Sequence, residues 1–257
     1  MNKKILSLAI LFLTGCQTSD NTVDPYEDYN RQVFAFNEQA DLYVINPTIQ
    51  AYRTVIPAPF RMGINNFYSN IAEISYAVNF GLQGQWQDCY HSGLRLTVNS
   101  LFGVGGLFDM AHDLGLPKKR NDFGKTLYTM GYIESPYSVS PFFGPSTMRD
   151  MIGFSVDRML LNPLLYLNSP ALKTDLFILN YIETRSNVNE YTTNFTETPF
   201  VEDKYTFMRD AYLQYRKYQL ENGIMDWDSF YEDAPEDANP ASVEELTETS
   251  PETPSVS

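Results

Sequence analysis

Side chains able to do covalent or metal chemistry are scarce in this chain. Its 257 residues hold two cysteines, Cys16 and Cys89, and two histidines, His91 and His112. No H-E-x-x-H string and no cysteine pair occurs, so a metal centre has almost no ligands to use. Ser146 sits in FGPSTMRD, which lacks the G-x-S-x-G turn that presents a hydrolytic serine. The glycine cluster FGVGGLF at 102–108 follows no strand pattern, which argues against dinucleotide binding. His112 and Asp113 could orient an acid or a base, but exposed loop residues of this kind are usually bystanders. The inventory points away from an enzyme and away from a metal or a dissociable cofactor. One thiol has a suggestive context, because an apolar run stops at Cys16 and the chain turns polar at once.

Lys3 and Lys4 precede the apolar run Ile5 to Leu13, and Thr14 and Gly15 follow it. That order is the charged region, apolar region and small-residue cleavage site of an export signal. The run has about half the ~20 apolar residues a membrane-spanning helix needs. LTGC at 13–16 resembles the bacterial lipobox, which implies cleavage before Cys16 and a covalent N-terminal lipid on it. An ordinary signal with a cysteine beside the cut is the alternative. Buried methylenes contribute about 0.8 kcal/mol each, so several acyl chains together would hold the protein on a membrane. In the sorting rule that this resembles, Gln17 in place of an aspartate favours the outer membrane.

Three regions follow: a signal at 1–15, a body at 16–225 and a tail at 226–257. The tail has ten acidic residues and no lysine or arginine among Pro, Ser and Thr, which predicts a disordered, solvated terminus. The chain carries 18 basic and 32 acidic side chains, a net charge of −14, so nucleic acid is excluded as a partner. With Cys16 lipidated, Cys89 would be left without a disulfide partner within the chain.

The body reads as helices. Asp24, Pro25 and Glu27 predict an N-cap, a first-turn proline and a capping acid, with an end at Asn46-Pro47. Phe60, Ile64, Phe67, Ile71, Ile74, Val78 and Leu82 step by fours and threes, with Asn65, Asn66, Asn70 and Glu73 on the other face. The ordinary meaning of such a stripe is a core-facing side. Further helices are expected over 87–101, from a cap at Ser146 or Thr147 to Leu160, over 172–191 and over 203–219. Between them, 102–123 reads as a long, apolar, glycine-broken loop. No alternating ten-residue runs suggest a transmembrane β-barrel. The 17 Phe, 18 Tyr and 2 Trp fit residence at a membrane interface, or a simple compositional bias.

Several strings, in order, resemble the MlaA (VacJ) family of outer-membrane lipoproteins: DPYEDYNRQVFAFN at 24–37, FGVGGLFDMA at 102–111, DFGKTL at 122–127, SPYSVSPFFGPSTMRD at 135–150, IETR at 182–185 and DKYTFMRDAYLQYRKY at 203–218. The resemblance covers nearly all of 16–222. It departs at Ile133, Glu134 and Ser135, where the family usually has a glycine-richer turn. It implies an all-α, ring-like arrangement of amphipathic helices lying in the inner leaflet of the outer membrane, lipid-anchored on the periplasmic side beside a trimeric porin. A central polar passage would remove mislocalised phospholipid from the outer leaflet and pass it to a periplasmic lipid carrier of the Mla type, preserving lipid asymmetry. On that resemblance, Gly103, Gly105, Gly106, Leu107, Phe108 and Met110 are candidates for a gating loop, with Phe36 and Asn37 lining the same route. Lys118, Lys119 and Arg120 are candidate headgroup contacts or, alternatively, a solvated basic turn. A lipoprotein that only scaffolds porins or another envelope assembly is the alternative function.

The lipobox reading predicts that Cys16→Ala leaves an unprocessed precursor or a soluble periplasmic form. Mass spectrometry of the mature N-terminal peptide checks this, and membrane-bound protein with an unmodified Cys16 would contradict it.

Overall fold

The computed structural model of the chain describes residues 23–196 and 203–223, without the side chains of 188–196. Cys16, the signal segment and the acidic tail lie outside the described residues.

Helix α1, Glu27–Ala40, passes through a π-helical turn, Asp41–Ile45, directly into α2, Asn46–Val55. The expected end at Asn46-Pro47 is therefore corrected. Proline has no N–H to donate and its ring crowds the carbonyl four residues back. The widened turn removes that conflict, with the Asn46 N–H bonded to the Asp41 carbonyl five residues back. Asp24 is not the N-cap either. Tyr26 holds that position without a side-chain bond, and Asp24 is fully buried, accepting from Asn30 Nδ2 at 2.8 Å and from the Tyr205 hydroxyl.

Helices α3, Ala58–Leu82, and α4, Trp86–Phe102, pack side by side through a tight turn at Gly84. A glycine-rich turn with one short helix, α5 at Met110–Asp113, leads to α6 at Phe123–Thr129. Two short strands, β1 at Tyr137–Ser140 and β2 at Gly144–Thr147, pair antiparallel with Tyr137 opposite Thr147. Then come α7 at Met148–Met159, a single 3₁₀ turn at Pro163–Tyr166, α8 at Pro170–Thr196 and α9 at Lys204–Asn222. Thr147 caps α7 by accepting from the Asp150 N–H, as expected for that residue. The architecture is all-helical apart from the hairpin.

The hairpin is held by α1 in an unusual way. Asn30 and Asn37 lie two turns apart on one face, and each reads two backbone groups of the hairpin. Asn30 donates to the Tyr137 carbonyl at 3.3 Å and accepts from Val139 N–H at 2.9 Å. Asn37 donates to the Ser140 carbonyl at 3.0 Å and accepts from Phe142 N–H at 2.8 Å. Two amide side chains thus replace part of a missing third strand. Val33, Tyr137, Val139 and Tyr205 close the small apolar core beside them.

Elsewhere the burial pattern is inverted. Among the described residues, nineteen polar or charged residues are buried against nine hydrophobic ones. On α3 the buried positions are Tyr68, Asn70, Glu73, Ser75, Asn79 and Phe80, whereas Phe60, Val78 and Leu82 of the apolar stripe are exposed. The stripe is not a uniform core-facing side: these three are exposed, while Ile64, Phe67, Ile71 and Ile74 are half-buried. On α4, Ser92, Arg95 and Asn99 turn inward, while Trp86, Tyr90, Leu101 and Phe102 are each about 70% exposed. No helix among the described residues is long and apolar enough to cross a membrane.

Helices α6 and α7 cross at closest approach through two glycines. A Cβ at Gly153 would lie 2.3 Å from the Gly124 nitrogen, so backbone, not a flexible side chain, fills the space. Gly153→Ala should destabilise the protein by about 1–3 kcal/mol. A thermal melt should show a midpoint several degrees lower, and an unchanged midpoint would contradict this crossing.

Candidate functional site

The inward polar faces surround a central cavity of about 1670 Å³. Its wall is drawn from α1, α3, the Lys118–Asp122 segment, the hairpin, α7, α8 and α9. The volume exceeds the ~300–1,000 Å³ usual for small-molecule pockets. Both kinds of surface are present: Ser69, Ser75, Asn65 and Asn180 on one hand, Ile71, Phe143, Phe154, Phe177 and Met208 on the other. Six cations, Lys118, Arg120, Arg158, Arg185, Lys204 and Arg216, meet five carboxylates, Glu38, Asp41, Asp122, Asp150 and Asp157. In a chain of net charge −14 this wall is slightly positive.

Most of these charges are tied together. Arg216 donates to Asp122 at 2.9 and 2.7 Å and to Asp150 at 2.9 Å, joining α9 to the N-cap of α6 and the first turn of α7. Asp122 also accepts from the Lys125 N–H, and Asp150 accepts from Tyr212 and Thr147 hydroxyls. Burial alone would raise the Asp150 carboxyl, but the Arg216 hydrogen bond and charge hold it below the usual carboxylate range. Arg185 pairs with Asp41, and Lys204 reaches Glu38 at 3.7 Å. Asp157 behaves differently: burial outweighs its bonds from Phe123 N–H, Ser75 and Asn79, and its carboxyl is raised.

A second knot holds the glycine-rich turn. Arg95, 1% exposed, contacts Glu73 at 2.7 Å and Asp109 at 2.7 Å and donates to the Leu116 carbonyl. Asn99 adds bonds to Asp109 at 2.9 Å and from Ala111 N–H at 2.8 Å. Burial would raise Asp109, and its bonds from Arg95 and Asn99 hold it low instead.

The candidate residues fall into distinct places. Gly103, Gly105, Gly106, Leu107, Phe108 and Met110 form the turn that Arg95 anchors against α3. Gly106 has φ of +95°, and a Cβ there would lie 2.5 Å from Asn70 Nδ2. A Cβ at Gly103 would lie 2.2 Å from the Phe108 carbonyl oxygen. These glycines allow close approach as well as turning. Leu107 and Phe108 are exposed on the outside, and Asn66 Nδ2 bonds the Leu107 carbonyl at 3.2 Å. Phe36 packs edge-on against Phe142 at 5.2 Å, and Asn37 braces the hairpin. Of the basic trio, Lys118 and Arg120 are in the cavity wall, whereas Lys119 pairs with Asp88 at 2.6 Å on an exposed edge. At the departure from the family pattern, Arg149 binds the Tyr132 and Ile133 carbonyls, and Ser135 accepts from its N–H. Arg95, Glu73, Asp150, Arg158 and Arg216 were not singled out from sequence. For Glu73 the signal was there in the polar positions recurring at helical spacing opposite the α3 stripe.

Residues 22–219 match the family model for the MlaA lipoprotein. The chain belongs to the MlaA lipoprotein family. The intermembrane phospholipid transport system lipoprotein MlaA of Shigella flexneri is 33% identical over 220 residues, spanning 81% of this chain and 84% of its own. That of Escherichia coli strain K12 is 32% identical over the same span. An uncharacterized protein of Rickettsia felis is 34% identical over 197 residues, 75% of this chain and 78% of its own. A solved structure described under "Structural basis for maintenance of bacterial outer membrane lipid asymmetry" superposes with a TM-score of 0.66 at 31% identity, covering 77% of this chain and 98% of that one.

The two arginine knots predict a specific stability profile. Arg95→Met should cost about 3–5 kcal/mol, because it leaves Glu73 and Asp109 inside without their counter-charge. Asp109 and Asp150 both sit below their unfolded value, so the stability they confer is present above about pH 4 and lost as pH falls through their folded values. Helical circular dichroism between pH 6 and 2 checks this. Arg216→Gln should move the acid transition upward.

Proposed function

We propose that this chain serves intermembrane phospholipid transport, moving mislocalised phospholipid out of the outer leaflet of the outer membrane and so maintaining its lipid asymmetry. The observation that carries the reading is the inverted fold: apolar side chains outside, a large amphipathic cavity inside. A phospholipid needs a wet path for its charged headgroup, since stripping that group without a partner costs several kcal/mol, and an apolar surface for its tails. Both lie in one wall here. No nucleophile is required, and the chain acts without enzymatic chemistry.

The finer assignment follows the same logic. The protein sits in the inner leaflet of the outer membrane, facing the periplasm, held by the lipid on Cys16 and by the exposed belt that includes Trp86, Tyr90, Leu101 and Phe102. It stands beside a trimeric porin and hands phospholipid to a periplasmic carrier of the Mla type. The turn from Gly103 to Met110 controls the passage, with Phe36 and Asn37 on the same route and Lys118 and Arg120 meeting headgroups, while Lys119 stays with Asp88 on the exposed edge. A protein that merely scaffolds porins would have no use for an internal polar cavity.

The test is to pin the turn to α3, where a Cβ at Gly63 would lie 3.9 Å from Leu107 Cδ2. Gly63→Cys with Leu107→Cys, in a Cys89→Ala background, should let phospholipid accumulate in the outer leaflet when oxidised and clear it when reduced. Equal clearance in both states would remove the gating role of the turn. Normal outer-leaflet composition in cells lacking the protein altogether would remove the transport function.

A further inference from the structure

The charges of the cavity wall do not all cancel. Arg185, Lys204 and Arg216 each have a carboxylate partner, and Lys118 and Arg120 have contacts of their own. Arg158 stands apart. Among the described residues its guanidinium has no hydrogen-bond acceptor or ion-pair partner; the Phe154 ring lies 5.2 Å away, and Tyr76, Asp157 and Tyr68 act on it electrostatically. Its nearest carboxylate in sequence, Asp157, is taken up by Phe123 N–H, Ser75 and Asn79. The hydroxyl of Tyr68, which also lines the cavity, donates to the Leu176 carbonyl. Five N–H donors in a fixed planar fork thus open into the cavity with no protein acceptor.

A half-buried guanidinium with no protein acceptor is open to an oxygen that enters the cavity, from water or from an anion. Burial pushes its pKa down from the ordinary value, yet an arginine stays protonated at neutral pH. The planar fork matches two oxygens of a phosphate, and Phe154 fixes its plane by stacking. Ile71, Phe154, Phe177 and Leu161 provide apolar surface in the same wall.

Resting on the transport reading above, we propose that Arg158 is an anion-docking site inside the cavity, taking the phosphate of a phospholipid headgroup by a bidentate contact while the tails lie along the neighbouring apolar side chains. Its specificity is for the phosphate shared by all common phospholipids, not for the group esterified to it. Lys118 and Arg120, in the same wall, add positive potential without replacing the fork.

The experiment uses the full-length lipidated protein in detergent and isothermal titration with four probes: short-chain phosphatidylglycerol, short-chain phosphatidylethanolamine, the matching diacylglycerol and inorganic phosphate. Arg158→Gln should weaken both phospholipids by about tenfold or more, the amount expected for losing a charge-assisted pair, and leave diacylglycerol unchanged. Arg158→Lys keeps the charge without the fork and should fall between, which guards against a folding defect in the glutamine variant. Inorganic phosphate that binds the wild type as tightly as the lipids assigns the same site to free phosphate. Weaker phosphate binding assigns it to the headgroup. Equal lipid affinity for wild type and both variants overturns the proposal. If that happens while cells with the oxidised Gly63→Cys, Leu107→Cys protein still accumulate outer-leaflet phospholipid, the anion site is wrong and the transport function stands. If the variants lose affinity while cells lacking the protein keep normal leaflets, the site stands and transport fails.

Discussion

A polar interior is tolerable only if its donors and acceptors find one another, and that requirement organises this molecule. In an ordinary domain, burying hydrocarbon gathers the chain and polar groups are accommodated afterwards. Here the hydrocarbon is outside, and hydrogen-bonded charge does the gathering within. Arg216 holds two carboxylates from different segments, Arg95 holds two more, and Asp24 collects Asn30, Tyr205 and Arg209. The Arg216 and Asp24 centres join elements far apart in sequence, whereas Arg95 ties two consecutive helices and the turn that follows them. A buried ion pair contributes little net stability against a hydrocarbon replacement, but breaking one half is expensive, so such centres define one arrangement among many.

The same constraint shapes the cavity. Side chains consumed by the knots cannot face a ligand, and what remains in the wall is a mixture of amides, hydroxyls, aromatic rings and a small excess of cations. The hairpin closes one side of it, and its edge is satisfied by Asn30 and Asn37 instead of by another strand. Helices α2 and α8 close another side through Tyr52 to Glu183 at 2.5 Å and Arg53 to Ser186 at 2.9 Å.

Helix positions could be read from the sequence because the 3.6-residue period is the same whichever face is wet. That period placed α3, α4, α7, α8 and α9 within a few residues of where they lie. Which face turns inward could not be read from α3 alone, since an apolar stripe is attracted equally to a protein core and to lipid. Asn46-Pro47 misled because a π turn is invisible to a pattern built on fourfold spacing. The strings resembling the MlaA family carry many members of these knots, though not Glu73 or Arg95: Asp24, Asn30 and Asn37 in the first, Asp109 in the second, Asp122, Gly124 and Thr126 in DFGKTL, Thr147 and Asp150 in the hairpin segment, Glu183 and Arg185 in IETR, Tyr205 and Arg216 in the last. Their long-range pairing was hidden because partners such as Arg31 and Asp203, at 2.7 Å, are separated by 172 residues. Arg158 gave no signal at all, because a cation is identified as unpaired only once its neighbours are known.

The outward apolar belt has a consequence for how the folded chain behaves in water. Large side chains such as Val55, Phe60, Trp86, Leu101 and Phe102 are each about 70% exposed, so the finished fold presents to water the kind of apolar surface that a soluble monomer keeps small. Folding does not hide this surface; it displays it. In water the correctly folded chain is therefore the form most prone to coalesce with other copies through this belt.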